Sequence, residues 1–73
     1  MDSTVRSLAV KAPKGVGEST RKKLLELGVL DASLRIVRTE DSIIIPITSL
    51  DSGMEGLDVV EYDFEERDLA ETD

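Results

Sequence analysis

The residues of this chain best placed to do chemistry are Lys11, Lys14, Gly15, Gly17, Thr20 and Arg21. Two glycines in a G-x-G spacing just ahead of a helix offer backbone N–H groups at the positive end of its dipole. Lysine and arginine side chains close by add full positive charge. The chemistry of such a set is the binding of an anion, and phosphate is the natural example. A nucleotide loop is not indicated, because no third glycine of a dinucleotide fingerprint and no lysine-hydroxyl ending of a phosphate loop follows. Arg21 leads the cations: its planar fork suits phosphate, and Glu18 is its only nearby acid. Lys22 stands four residues after Glu18 and four before Glu26, which predicts a charge shared along the helix surface. Thr20 falls on the apolar stripe of the same helix, so packing alone also accounts for it.

The elements that must position these groups follow from hydrophobic periodicity. Residues 5–12 alternate as a strand, with Leu8 and Val10 on one face and Ala9 and Lys11 on the other. Pro13 ends it, having no N–H for a ladder. Residues 14–17 make a turn into a helix over 17–27, whose stripe is Val16, Thr20, Leu24 and Leu27, and Gly28 supplies a left-handed stop. After a connection over 29–33, residues 34–38 read as a second strand with Leu34 and Ile36 on one face. Glu40 and Asp41 form a polar turn. Residues 42–47 form the strongest strand, Ile43, Ile45 and Ile47 pointing one way and Ile44 and Pro46 the other. Pro46 places the end of that strand at a sheet edge or past the ladder. Residues 48–57 fit one or two turns of short helix, and 58–64 close the fold as a strand alternating Val60, Tyr62 and Phe64.

The predicted order is strand, helix, strand, strand, short helix, strand. It describes an α+β domain with a small, mostly antiparallel sheet and helices on one face. Leu24, Ile36, Ile43 and Ile45 are its expected core. The other face is expected to carry Ala9, Lys11, Arg35, Val37, Ile44 and Val59. Val37, Ile44 and Val59 there make docking of another protein a competing use of the domain. The compact domain is expected over 1–64, with 65–73 an acidic linker or tail towards further domains.

Composition narrows the function classes. Residues 1–38 carry eight basic against four acidic side chains, a net +4; residues 39–73 carry one basic against twelve acidic, a net −11; the whole chain is −7. A basic half can meet RNA phosphate while the acidic half limits nonspecific contact. With no cysteine and no histidine, disulfides, thiol nucleophiles, imidazole bases and the usual zinc sites are excluded. A domain of this size then rests on packing alone, with a stability on the order of 3–5 kcal/mol, and is expected to fold as a monomer without metal. The acids of the C-terminal half lie in runs that solvate a tail rather than pair for acid–base work, so catalysis within this chain is not expected. No apolar run reaches membrane-spanning length, which points to a soluble, cytoplasmic protein. The only aromatics are Tyr62 and Phe64. RNA recognition here should therefore read backbone and folded shape rather than stacked bases.

The stretch 8–25, LAVKAPKGVGESTRKKLL, resembles the start of the archaeal Met-10+ like proteins. Gly17, Glu18, Thr20, Arg21, Lys22 and Leu24 match that family's G-E-x-T-R-[RK]-x-L pattern. The likeness continues through Leu30-Asp31 and Leu34-Arg35-Ile36 to Ile43-Ile44-Ile45-Pro46-Ile47, and so covers about residues 7–64. The family's members are S-adenosylmethionine-dependent tRNA (guanine-N1)-methyltransferases that act on the guanosine 3′ of the anticodon. The resemblance implies an accessory N-terminal domain that touches the outer corner, or elbow, of folded tRNA. It places S-adenosylmethionine and the catalytic residues in downstream domains of the same polypeptide, with no cofactor in this one. The same domain on a wybutosine-pathway transferase of that superfamily remains open.

Overall fold

In the structure, a computed structural model, residues 4–65 are described. Strand β1 is Thr4–Pro13. A single 3-10 turn, Lys14–Val16, leads into helix α1, Gly17–Leu27. Strands β2, Val37–Arg38, and β3, Ser42–Pro46, form a hairpin. A second 3-10 turn, Ser52–Met54, precedes β4, Asp58–Glu65. The sheet order is β2-β3-β1-β4, with each neighbouring pair antiparallel. The α+β class and element order expected from periodicity are those found. The expected linker over 65–73 begins one residue early, since Glu65 pairs with Thr4; 66–73 lie outside the described residues.

α1 starts and stops where the sequence places it. Gly28 takes φ 75° and its N–H reaches the carbonyls of Leu24 and Leu25, a left-handed exit that an L side chain resists. The buried stripe of α1 is Gly17, Thr20 and Leu24. Leu24 packs with Val10, Ile43, Ile45 and Ile47 beneath the helix, and Leu27 and Ile36 lie half-buried against that cluster. The second 3-10 turn adds Met54 to the same layer, with the Asp51 carboxylate accepting from the Gly53 N–H at 2.7 Å to cap it. One turn of 3-10 helix is all that forms between β3 and β4.

The second strand is shorter than its pattern suggests. β2 pairs only through Val37 with Ile44 and Arg38 with Ile43. The rest of that edge of β3 is occupied by residues 29–31. Leu30 bridges Ile47, the Asp31 N–H donates to the Pro46 carbonyl (3.0 Å), and the Thr48 N–H donates to the Val29 carbonyl (2.8 Å). Asp31 then turns the chain by accepting from the Ser33 N–H (2.9 Å) and hydroxyl (2.6 Å), an arrangement Asp favours. The loop carries Leu34 to the opposite side of the sheet. Leu34 and Ile36 therefore end in different clusters rather than on one face.

Pro46 sits neither at an edge nor beyond the ladder. It lies in β3, opposite Ala9 of β1. The Ile47 N–H points to β1, donating to the Leu8 carbonyl at 3.0 Å, so the neighbouring Pro46 nitrogen faces the other way, past the end of β2. The missing N–H faces Asp31 on that edge, whose carbonyl accepts from the Leu34 N–H at 3.5 Å instead.

The face away from α1 holds a second core of Ala9, Leu34, Ile44 and Phe64, with Val37, Val60 and Tyr62 packed on it. Phe64 is 0% exposed and meets Tyr62 edge to face at 4.9 Å between ring centroids, a favourable quadrupole geometry. Val59 does not belong to this face. It is in register with Val10, which puts it on the helix side, beyond the reach of α1.

Candidate functional site

The start of α1 brings Lys14, Gly15 and Arg21 to one short stretch of surface, with Gly17 and Thr20 buried beneath it, and leaves Lys11 apart. Lys11 is paired with Ile44, whose side chain is in the second core. Strand alternation therefore sends Lys11 out on the face opposite α1. Only the end of the sheet, where Pro13 hands over to Lys14, joins the two positions.

Of the two glycines, only Gly15 is open: a Cβ there would meet nothing within 4 Å. Gly17 is buried, and a Cβ on it would overlap the Cδ1 of Ile43. Its N–H donates to the Lys14 carbonyl. The expected pair of exposed glycine N–H groups is thus reduced, and Gly17 is required by the close approach of α1 to β3. Thr20 is likewise structural: its hydroxyl donates to the Val16 carbonyl at 2.8 Å. The Ser19 hydroxyl donates to the same carbonyl at 3.0 Å. Gly17→Ala is expected to destabilise by roughly 1–3 kcal/mol through overpacking. Adding Ile43→Val, which deletes the overlapping methyl, should make the double variant less damaged than the sum of the two singles. Urea unfolding of the four proteins checks this, and a neutral Gly17→Ala would show that Ile43 swings clear at no cost.

The roles of Arg21 and Lys22 are exchanged relative to the sequence expectation. The Arg21 Nε donates to Glu18 Oε1 and Oε2 at 3.2 and 3.3 Å, an i, i+3 ion pair. With Glu18 engaged there, no ion pair reaches Lys22 among the described residues. The pairing uses one nitrogen of the guanidinium and leaves the terminal Nη donors of Arg21 for another acceptor. No side chain caps α1, since Val16 stands at its N-cap position, so first-turn N–H groups are also without a side-chain acceptor.

Lys14 and Lys11 have acids close by. The Lys14 N–H donates to the Asp41 carbonyl at 3.4 Å, which ties the start of α1 to the β2–β3 hairpin. Lys11 is in register with Asp58, and both line a surface concavity of about 300 Å³ together with Ala12, Pro13, Asp41 and Ser42. Nothing in the sequence pointed to Asp58 or Asp41 as neighbours of Lys11, because the strand register that joins them is a long-range property. Further along the same strand pair, Arg6 and Asp63 form an exposed ion pair at 2.9 Å. The hydrogen bond and charge of Asp63 raise the Arg6 pKa, and the hydrogen bond from Arg6 lowers that of Asp63.

The G-x-G of this site does not fit S-adenosylmethionine, because Gly17 is filled by Ile43 rather than facing a ligand. Among the described residues no group of acids converges to hold a metal ion, and no helix is long and apolar enough to cross a membrane.

Comparison with known proteins adds a family to this geometry. Residues 9–55 match the tRNA methyltransferase 5 N-terminal domain. The chain is 38% identical over 60 residues to the tRNA (guanine(37)-N(1))-methyltransferase Trm5b of Pyrococcus abyssi, covering 82% of this chain and 17% of that protein. The crystal structure of wild-type Trm5b from Pyrococcus abyssi superposes with a TM-score of 0.69 at 37% identity, over 81% of this chain and 17% of that one. The chain thus spans about a sixth of the length of the relative it matches. The match runs from β1 through α1 and the β2–β3 hairpin to the second 3-10 turn, and the chain belongs to the family of tRNA methyltransferase 5 N-terminal domains.

Proposed function

We propose that this domain is the accessory, non-catalytic tRNA-recognition unit of an S-adenosylmethionine-dependent tRNA (guanine-N1)-methyltransferase, and that it contacts the outer corner of folded tRNA. In this reading the cofactor and the reacting groups belong to downstream domains of the same polypeptide, beyond β4. The protein works in the cytoplasm as a monomer. The observation that carries the reading is the start of α1. A helix start without a side-chain cap, the exposed Lys14 and Gly15, and the terminal nitrogens of Arg21 stand together in a chain of this family. Such groups meet phosphate oxygens. Lys11, Gly17 and Thr20 then serve indirectly, Lys11 from around the end of the sheet and the other two by holding α1 against β3.

Both aromatic rings are committed to the second core, which favours reading of shape and backbone over base stacking. The competing use of the outer sheet face as a protein-docking patch is weakened by the same cluster. Ile44 is 4% exposed, and Val59 lies on the other side of the sheet. Carriage of the domain by a wybutosine-pathway transferase is a second form of the same reading, differing only in the downstream chemistry.

In the full enzyme, Lys14→Ala with Arg21→Ala is expected to weaken binding of intact tRNA roughly ten-fold at physiological salt and to lower the salt slope by about two contacts. Methylation of a minimal anticodon stem-loop, too short to reach the domain, should not change. Titrations of both substrates at several salt concentrations test this. Unchanged affinity and slope for intact tRNA would make these residues solvated charges only.

A further inference from the structure

The concavity beside Lys11 has a composition that phosphate binding alone does not account for. Lys11 and Asp58 face each other across β1 and β4, so their side chains leave the sheet on the same face at close spacing. Opposite charges so placed commonly close into an ion pair, yet no N–O approach within 4 Å joins them among the described residues. The space of about 300 Å³ that they border has Pro13 in its lining, an apolar ring suited to the carbons of a sugar. The Ser42 hydroxyl, also lining it, is occupied by Thr39 at 2.8 Å. Among the described residues the Asp41 carboxylate accepts a single long bond, from the Thr39 hydroxyl at 3.4 Å. A site built for a bare phosphate would gain nothing from two carboxylates. A carboxylate does gain from a hydroxyl donor, because hydrogen bonds to charged acceptors are the stronger ones.

We propose that this concavity seats one ribose–phosphate unit of an RNA backbone, Lys11 meeting the phosphate and Asp58 accepting the hydrogen bond of the 2′-hydroxyl. The proposal rests on the tRNA-recognition reading and deepens it by adding discrimination between RNA and DNA. The volume lies at the lower end of small-ligand sites, the scale of one backbone unit. A deoxyribose offers Asp58 no donor, so its charge then faces phosphate without compensation. The acid opposite Lys11 thereby becomes a selecting group.

The test is fluorescence anisotropy of the chain with a tRNA transcript and with a DNA strand of the same sequence. Wild type is expected to favour RNA. Asp58→Ala is expected to lower RNA affinity roughly ten-fold, the loss of one charged hydrogen bond, while DNA affinity stays level or rises. Glu61→Ala removes the same charge from the other face of β4 and should raise both affinities alike. If Asp58→Ala behaves as Glu61→Ala does, Asp58 is a repelling charge only and the proposal is wrong. Equal binding of RNA and DNA by wild type would also overturn it while leaving tRNA recognition standing. Binding of neither would remove the tRNA reading and this proposal with it.

Discussion

Phe64→Ala is expected to unfold most of the protein at 25 °C. Phe64 is fully buried in the core on the face away from α1. Truncation of a buried phenylalanine costs roughly 3–5 kcal/mol, against a total stability on the order of 3–5 kcal/mol for a domain of this size. The ring also holds Tyr62 edge to face, so its loss removes an aromatic pair as well as apolar burial. Circular dichroism during urea titration measures the effect. A loss under about 1 kcal/mol would mean that the second core forms apart from the cooperative fold. Tyr62→Phe keeps the ring contact and should be close to neutral, because packing on this face does not depend on the phenol.

Ile45→Ala is expected to be nearly as damaging, roughly 2–5 kcal/mol. Ile45 is 0% exposed and is in register with Val10 at the centre of the layer beneath α1. Its strand is buried along its whole length, so the site cannot collapse from a solvent-facing side to refill the cavity. The same denaturation measurement applies, and a shift of the midpoint without a change in slope would mark a loss of stability alone. A cost below about 1 kcal/mol would place the side chain outside the layer.

Helix α1 and the triple-isoleucine strand were legible because each has a local cause. α1 carries an apolar stripe at helical spacing and ends at a glycine able to take positive φ. β3 alternates isoleucines on one face and tolerates Pro46 on the other. The β2 boundary was not legible, because it depends on which segment reaches β3 first. Residues 29–31 take the carbonyl of Pro46 and the N–H of Thr48, and no periodicity within 34–38 announces that competition. The second core escaped for a related reason. Val60, Tyr62 and Phe64 alternate plainly, but which face they join is set by their register with Ala9, Ser7 and Val5.

For the candidate site, the sequence alone determined residue types: lysines, an arginine and two glycines about the start of one helix, in a pattern resembling a tRNA-methyltransferase family. Only the tertiary structure decided which of them share a surface. Close packing of Gly17 on Ile43 and the alternation of β1 place Lys11 and Arg21 on opposite sides of the sheet. The charge pattern changed most. Basic and acidic residues are segregated along the chain, yet β1 lies between β3 and β4, so folding sets Arg6 beside Asp63 and Lys11 beside Asp58. Net charge is a sum that ignores position. The field at a surface depends on distance, and distances between the two halves of this chain exist only after its strands have paired.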